Sequence, residues 1–73
     1  MKERLKKRSK LCQIRESEGW SVKDLAIAAD MAPATYRKAE EGEQVREYIW
    51  GRILKGMNSM PNKSRVFVIG DIR

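Results

Sequence analysis

Few side chains in this sequence could carry out chemistry, and their types narrow the choice at once. There is one cysteine, Cys12, and no histidine among 73 residues. An internal disulfide, a zinc site of the usual Cys and His type and a histidine general base are thereby excluded. Cys12 falls in a helical pattern about one turn from Arg15 and Glu16 and reads as a small semi-buried core residue rather than a reactive thiol. Asp24 and Asp30 read as a cap and a turn residue, and no nucleophile has a base, so neither enzymatic activity nor a metal or cofactor is expected. What remains is charge. Sixteen Lys and Arg stand against ten Asp and Glu, a net +6 on a small body, which points to a polyanionic partner.

Length and apolar content constrain the body that carries this charge. No apolar run approaches the ~20 residues of a spanning helix, and Met1 to Lys10 is too charged for the apolar region of a secretory signal, so no membrane association and a cytoplasmic location are expected. A chain of this length supports one domain with a small core, burying only ~60% of its unfolded surface. Such cores often gain stability from a partner, which makes self-association an early expectation.

Local signals divide the chain. Residues 3 to 18 read as a first helix with Leu5, Leu11, Cys12 and Ile14 on a loose apolar stripe, ended by Gly19 with Trp20 as the hydrophobic contact behind it. Ser21 and Asp24 have the spacing of a capping box, and Trp20 and Leu25 that of a hydrophobic staple. A second helix follows with Val22, Leu25, Ala26 and Ala29 on one face. Asp30, Met31 and Ala32 make a short connection, because Pro33 disfavours helical geometry before it and suits a first helical position itself. A third helix runs from Pro33 to about Glu41, closed by Gly42. A fourth runs from Val45 to about Met57 with Val45, Tyr48, Ile49, Ile53 and Leu54 toward the core; Gly51 and Gly56 weaken it, and fraying is expected beyond Leu54. Asn58 to Ser64 reads as a linker. Val66, Phe67, Val68 and Ile69 form a β-branched and aromatic run between Ser64 and Gly70, read as a strand that either pairs with its copy in a second subunit or packs as a tail on its own domain.

Two short helices joined by a tight turn have the layout of a helix-turn-helix. The stretch from Leu25 through Gly42, LAIAADMAPATYRKAEEG, carries the likeness without a gap, with Arg15, Gly19, Ser21, Leu25, Ala26, Tyr36, Glu40 and Gly42 at pattern positions. Residues 11 to 57 thus resemble the DNA-binding domains of phage repressors, Cro proteins and their bacterial relatives. The fold class expected is mainly α, with four to five short helices including a helix-turn-helix, plus a C-terminal β-strand for dimerisation. Residues 1–10 form a basic segment leading into the first helix, 11–57 the DNA-binding domain, and 58–73 the linker and strand.

The resemblance also implies a site. The third helix would lie in the major groove, with Pro33, Ala34, Thr35, Arg37 and Lys38 toward the bases and Tyr36 and Ala39 turned inward. Arg37 suits a bidentate contact to guanine, and Ala34 or the Thr35 methyl an apolar contact to thymine. Ser21, Val22 through its backbone, Lys23, Gln44 and Arg46 would hold phosphates. Arg15 and Glu40 would pair to fix the angle of the reading helix. The pattern is departed from at Val22, where relatives often carry Gln, and at Pro33 and Ala34, where polar residues are usual; both changes reduce hydrogen-bonded contact. The basic run Lys2, Arg4, Lys6, Lys7, Arg8 and Lys10 either reaches DNA or only solubilises the end. The function expected is a Cro-like dimeric repressor from a phage or mobile element, bound to a palindromic operator of double-stranded DNA and acting by occupancy without a small-molecule ligand. An antitoxin-type protein-binding autoregulator and a DNA-bending excision factor are the alternatives.

Overall fold

The computed structural model describes residues 9–73, and among these the chain is mainly helical, with no strand. Five helices follow in order: α1 (Lys10–Glu18), α2 (Val22–Ala28), α3 (Pro33–Glu40), α4 (Glu47–Ser59) and the single turn α5 (Ile69–Ile72). The Ser9 hydroxyl starts α1 by accepting from the Cys12 amide at 3.1 Å. The portion of the first helix expected over residues 3–8 lies outside the described residues.

Gly19 ends α1 in the left-handed region at φ 78°, a conformation that costs a residue without Cβ nothing. Its amide and that of Trp20 return to the carbonyls of Glu16 and Arg15, each at 3.1 Å, and Trp20 is driven into the core as the spacing required. Ser21 then caps α2, its hydroxyl accepting from the Asp24 amide at 3.0 Å. After α2 the chain turns through Asp30, a non-glycine residue at φ 59°, and the Met31 amide closes back on the Ala26 carbonyl at 3.0 Å. Pro33 opens α3 at the position its fixed φ favours.

The core gathers one stripe from each helix: Leu11, Trp20, Leu25, Ala26, Ala29, Tyr36, Ala39, Ile49, Ile53, Met57, Phe67 and Ile72. Two expectations for α4 are corrected. Tyr48 lies 56% exposed, because the buried register is Ile49, Ile53, Gly56 and Met57 and its neighbour in sequence is rotated ~100° from that stripe. Nor does the helix fray beyond Leu54; it continues to Ser59. Gly56 is the cause. It is buried against α2, and a Cβ built on it would stand 2.7 Å from the Ala29 amide nitrogen and 2.9 Å from the Ala28 carbonyl carbon. The missing side chain lets two helices touch backbone to backbone, and the packing gained outweighs the propensity lost.

The strand expected over Val66–Ile69 is not formed, and its pairing with a copy is not what satisfies it. The backbone of Phe67 is met by one side chain of its own chain: Asn58 Oδ1 accepts from the Phe67 amide at 2.8 Å, and Asn58 Nδ2 donates to the Phe67 carbonyl at 2.9 Å. A carboxamide offers the same donor and acceptor pair as a backbone unit, so Asn58 does the work of a neighbouring strand. Phe67 then points inward, edge-on to Trp20 with ring centroids 6.0 Å apart. At Val68 the segment turns into α5, because Asp71 Oδ2 accepts from the Val68 amide at 2.9 Å. Ile69 is thus the first residue of a helical turn.

The segment straps the molecule along α1. Glu18 accepts from the amide and hydroxyl of Ser64 at one end. Lys10 donates to the Gly70 carbonyl at the other, and Arg73 pairs with Glu47 at the start of α4. Residues 58–73 therefore add Phe67 and Ile72 to the same core as the helices before them.

Candidate nucleic-acid interface

The angle of α3 is set from beneath by a polar cluster at its C-terminal end. Arg15 on α1 grips Glu40 with two parallel bonds, Nε to Oε2 at 2.7 Å and Nη2 to Oε1 at 3.2 Å. Its remaining terminal nitrogen, Nη1, donates to the Trp20 carbonyl at 3.0 Å. The Tyr36 hydroxyl, one turn before Glu40, adds a third bond to the carboxylate at 2.6 Å. The two charged side chains are only 15% and 12% exposed, so the forked geometry holds in a medium that screens it weakly.

Burial alone would raise the Glu40 carboxyl, but the hydrogen bonds from Arg15 and Tyr36 and the Arg15 charge outweigh it and hold the group below the usual carboxylate range. The same partnership shifts the others upward. Tyr36 is raised by burial and then by the carboxylate it donates to; Arg15 is raised chiefly by its bonds to Glu40. Burial, with the charges of Glu40 and Glu16, also pushes the Cys12 thiol up. A thiol held protonated is a poor nucleophile, and Cys12 is half-buried.

With Tyr36 and Ala39 buried, the opposite stripe of α3 faces solvent: Pro33, Ala34, Arg37 and Lys38 are all exposed. Thr35 departs from expectation. It is half-buried on the flank between the two faces, because its position falls next to the inward stripe that Tyr36 begins. Of the residues expected at phosphates, Ser21, Lys23, Gln44 and Arg46 are exposed, whereas Val22 is half-buried and packed on the core.

The charged groups are partitioned in a way the sequence does not announce. Around α1, α4 and the C-terminal strap most cations have protein partners: Arg65 with Asp71, Arg73 with Glu47, Arg52 with the Asp30 carbonyl and Lys10 with the Gly70 carbonyl, whereas Lys55 and Lys63 have none among the described residues. Lys23, Arg37, Lys38 and Arg46, on α2, α3 and the loop after it, have no hydrogen bond or ion pair among the described residues. The acidic residues Glu41 and Glu43 stand beyond the C-terminal end of α3, away from its first turn. Residues 1–8 hold five Lys or Arg against one Glu, most of the net +6, so residues 9–73 are close to neutral and their free cations count by position rather than number.

The Arg15 and Glu40 pair was legible beforehand, but the Tyr36 hydroxyl as its third member was missed. Its signal was present in the i, i+4 spacing of Tyr36 and Glu40. Asn58 gave none, since an Asn before Ser and Pro reads as loop. Comparison with protein-family models, with curated proteins and with solved structures finds no match.

Proposed function

We propose that the chain is a sequence-specific regulator that binds double-stranded DNA through the outward face of α3, as a Cro-like repressor does. The observation that carries this reading is the pairing of opposites on one short helix: an inner face locked by three bonds to Glu40 and an outer face whose Arg37 and Lys38 have no partner among the described residues. A rigid helix with unspent donors is what base reading demands, because a contact worth ~1–3 kcal/mol per base needs its donors held in place. Arg37 is the guanine reader; Lys38 reads a base or neutralises a phosphate. Lys23, Arg46, Ser21 and Gln44 hold the backbone on either side, with the Val22 amide in support.

One helix reads too few base pairs for useful discrimination, so the active form is a homodimer on a palindromic site. Its contact is assigned to the exposed apolar strip of Val66, Val68 and Ile69, which are 69%, 60% and 42% exposed. Phe67 is excluded from it by its own burial. Selection of bound sequences from a random DNA pool, followed by salt titration of the winner, tests both statements. A palindromic consensus whose affinity falls steeply with salt is expected. Failure to enrich any sequence, or copurification with a protein partner in place of DNA, overturns the reading.

A further inference from the structure

We infer that the notch between the turn after α2 and the outer edge of α4 binds a small oxyanion that also carries a hydroxyl or ammonium donor; the inference does not depend on the role proposed for α3. Ala28, Ala29 and Asp30 on one side and Arg52, Lys55 and Ser59 on the other line a cavity of about 380 Å³, within the ~300–1,000 Å³ of small-molecule sites. Its shape follows from the sequence. Tyr48, Arg52, Lys55 and Ser59 recur at i, i+4, i+7 and i+11 and so form one stripe of α4, and Gly56 brings the α2 backbone up beside that stripe. Two alanines on the α2 side leave the space unfilled.

The lining groups divide into donors and acceptors. Arg52 is held in place by Tyr48, whose ring centroid lies 5.4 Å from the guanidinium carbon, and by one bond from Nη1 to the Asp30 carbonyl at 3.3 Å. That commits one of the five N–H donors of a guanidinium. Lys55 has no partner among the described residues. Two cations with unspent donors on one cavity suit an oxyanion, which accepts charge-assisted hydrogen bonds from both. Ser59 contributes the opposite polarity: its hydroxyl proton is committed to the Gly56 carbonyl at 2.8 Å, so its oxygen can only accept. The Asp30 carboxylate is an acceptor too, and it forms no ion pair among the described residues with the cations that share its cavity. A ligand of bare negative charge leaves these acceptors unmet and is repelled by Asp30. A phosphate monoester or a carboxylate with a neighbouring hydroxyl or ammonium group satisfies both sets. The phosphodiester backbone of DNA has no such donor, which separates this notch from the phosphate contacts proposed for Lys23 and Arg46.

The test titrates the full chain, labelled with nitrogen-15, at constant ionic strength and about pH 5, where phosphate monoesters and diesters both carry one negative charge. Glycerol 3-phosphate and L-serine present the phosphate and the carboxylate form of the ligand, and dimethyl phosphate carries the charge without a donor. Saturable amide shifts confined to residues 28–30 and the neighbourhood of Arg52, Lys55 and Ser59 are expected with at least one of the first two, and dimethyl phosphate should bind about ten-fold more weakly. Lys55→Gln, checked for an unchanged melting curve, should weaken the better probe about ten-fold, the value of one hydrogen bond to a charged group. Ser59→Ala should narrow the gap between that probe and dimethyl phosphate. Shifts spread equally over Lys23, Arg37 and Lys38, or no shift from either probe, overturn the inference. Equal binding of dimethyl phosphate overturns it as well, and a DNA salt slope lowered by about 1 in Lys55→Gln would then assign the notch to the DNA backbone.

Discussion

Replacing Gly56 by alanine isolates the close approach that seats α2, and with it the turn into α3, on α4. In an ordinary helix interior this substitution stabilises by about 1 kcal/mol. Gly51 supplies that control within the same helix, since a Cβ there meets nothing within 4 Å. At Gly56 the new carbon would stand 2.7 Å from the Ala29 amide nitrogen and 2.9 Å from two further backbone atoms of Ala28 and Ala29. Backbone cannot swing aside as a side-chain tip can, so α2 must translate, and overpacking of this kind costs about 1–3 kcal/mol or more. Gly56→Ala is thus expected to lose roughly 1–2 kcal/mol net, the overpacking cost exceeding the propensity gain. Each kcal/mol moves the midpoint of a domain this size by about 4–8 °C. Thermal unfolding followed by circular dichroism should therefore show Gly51→Ala melting above the native chain and Gly56→Ala below it. Equal stabilisation by both variants would refute the account, because α2 would then have room to spare over α4.

Four other outcomes follow from the same packing. Arg15→Ala strands the Glu40 carboxylate with one donor from Tyr36 and is expected to cost about 3 kcal/mol, read by urea unfolding; a loss below 1 kcal/mol would reduce the pair to surface charge. Because the Glu40 carboxyl is lowered on folding, its contribution is fully present above the ordinary range near ~4.3 and is lost as pH falls through the lower folded value. The melting temperature of Glu40→Gln should accordingly depend less on pH in that acid window than the native one, and parallel curves would argue against the coupling. Asn58→Ala uncovers both backbone groups of Phe67, each bond being worth about 0.5–1.5 kcal/mol, and amide exchange at Phe67 should accelerate well before that of α2. On a selected DNA site, Lys38→Ala should lower the salt slope by about 1 if Lys38 meets a phosphate, whereas Arg37→Ala should relax preference at one base pair; a uniform loss in Arg37→Ala would remove its role as a reader.

Sequence alone determined what is decided within one or two helical turns. Ser21 with Asp24, Gly19 with Trp20 and Pro33 after Ala32 each close their hydrogen bonds or fix their dihedrals among neighbours in the chain. The boundaries of α2 and α3 could therefore be read to within a residue, and with them the outward stripe of Pro33, Ala34, Arg37 and Lys38. Even Arg15 and Glu40, 25 residues apart, were readable through a pattern of spacing that the resemblance supplied.

Tertiary structure decided the rest, because the deciding atoms lie far along the chain or in the absence of a side chain. Val66 to Ile69 has the composition of a strand, but whether it becomes one depends on what meets the Phe67 backbone, and here a carboxamide nine residues earlier does so. Gly56 reads as a weak point until the Ala28 and Ala29 backbone is laid across it. Arg65 and Arg73 look as free as Arg37 and Lys38 in the sequence. Only folding brings Asp71 and Glu47 to the first two, leaving the cations of α3 without a partner among the described residues.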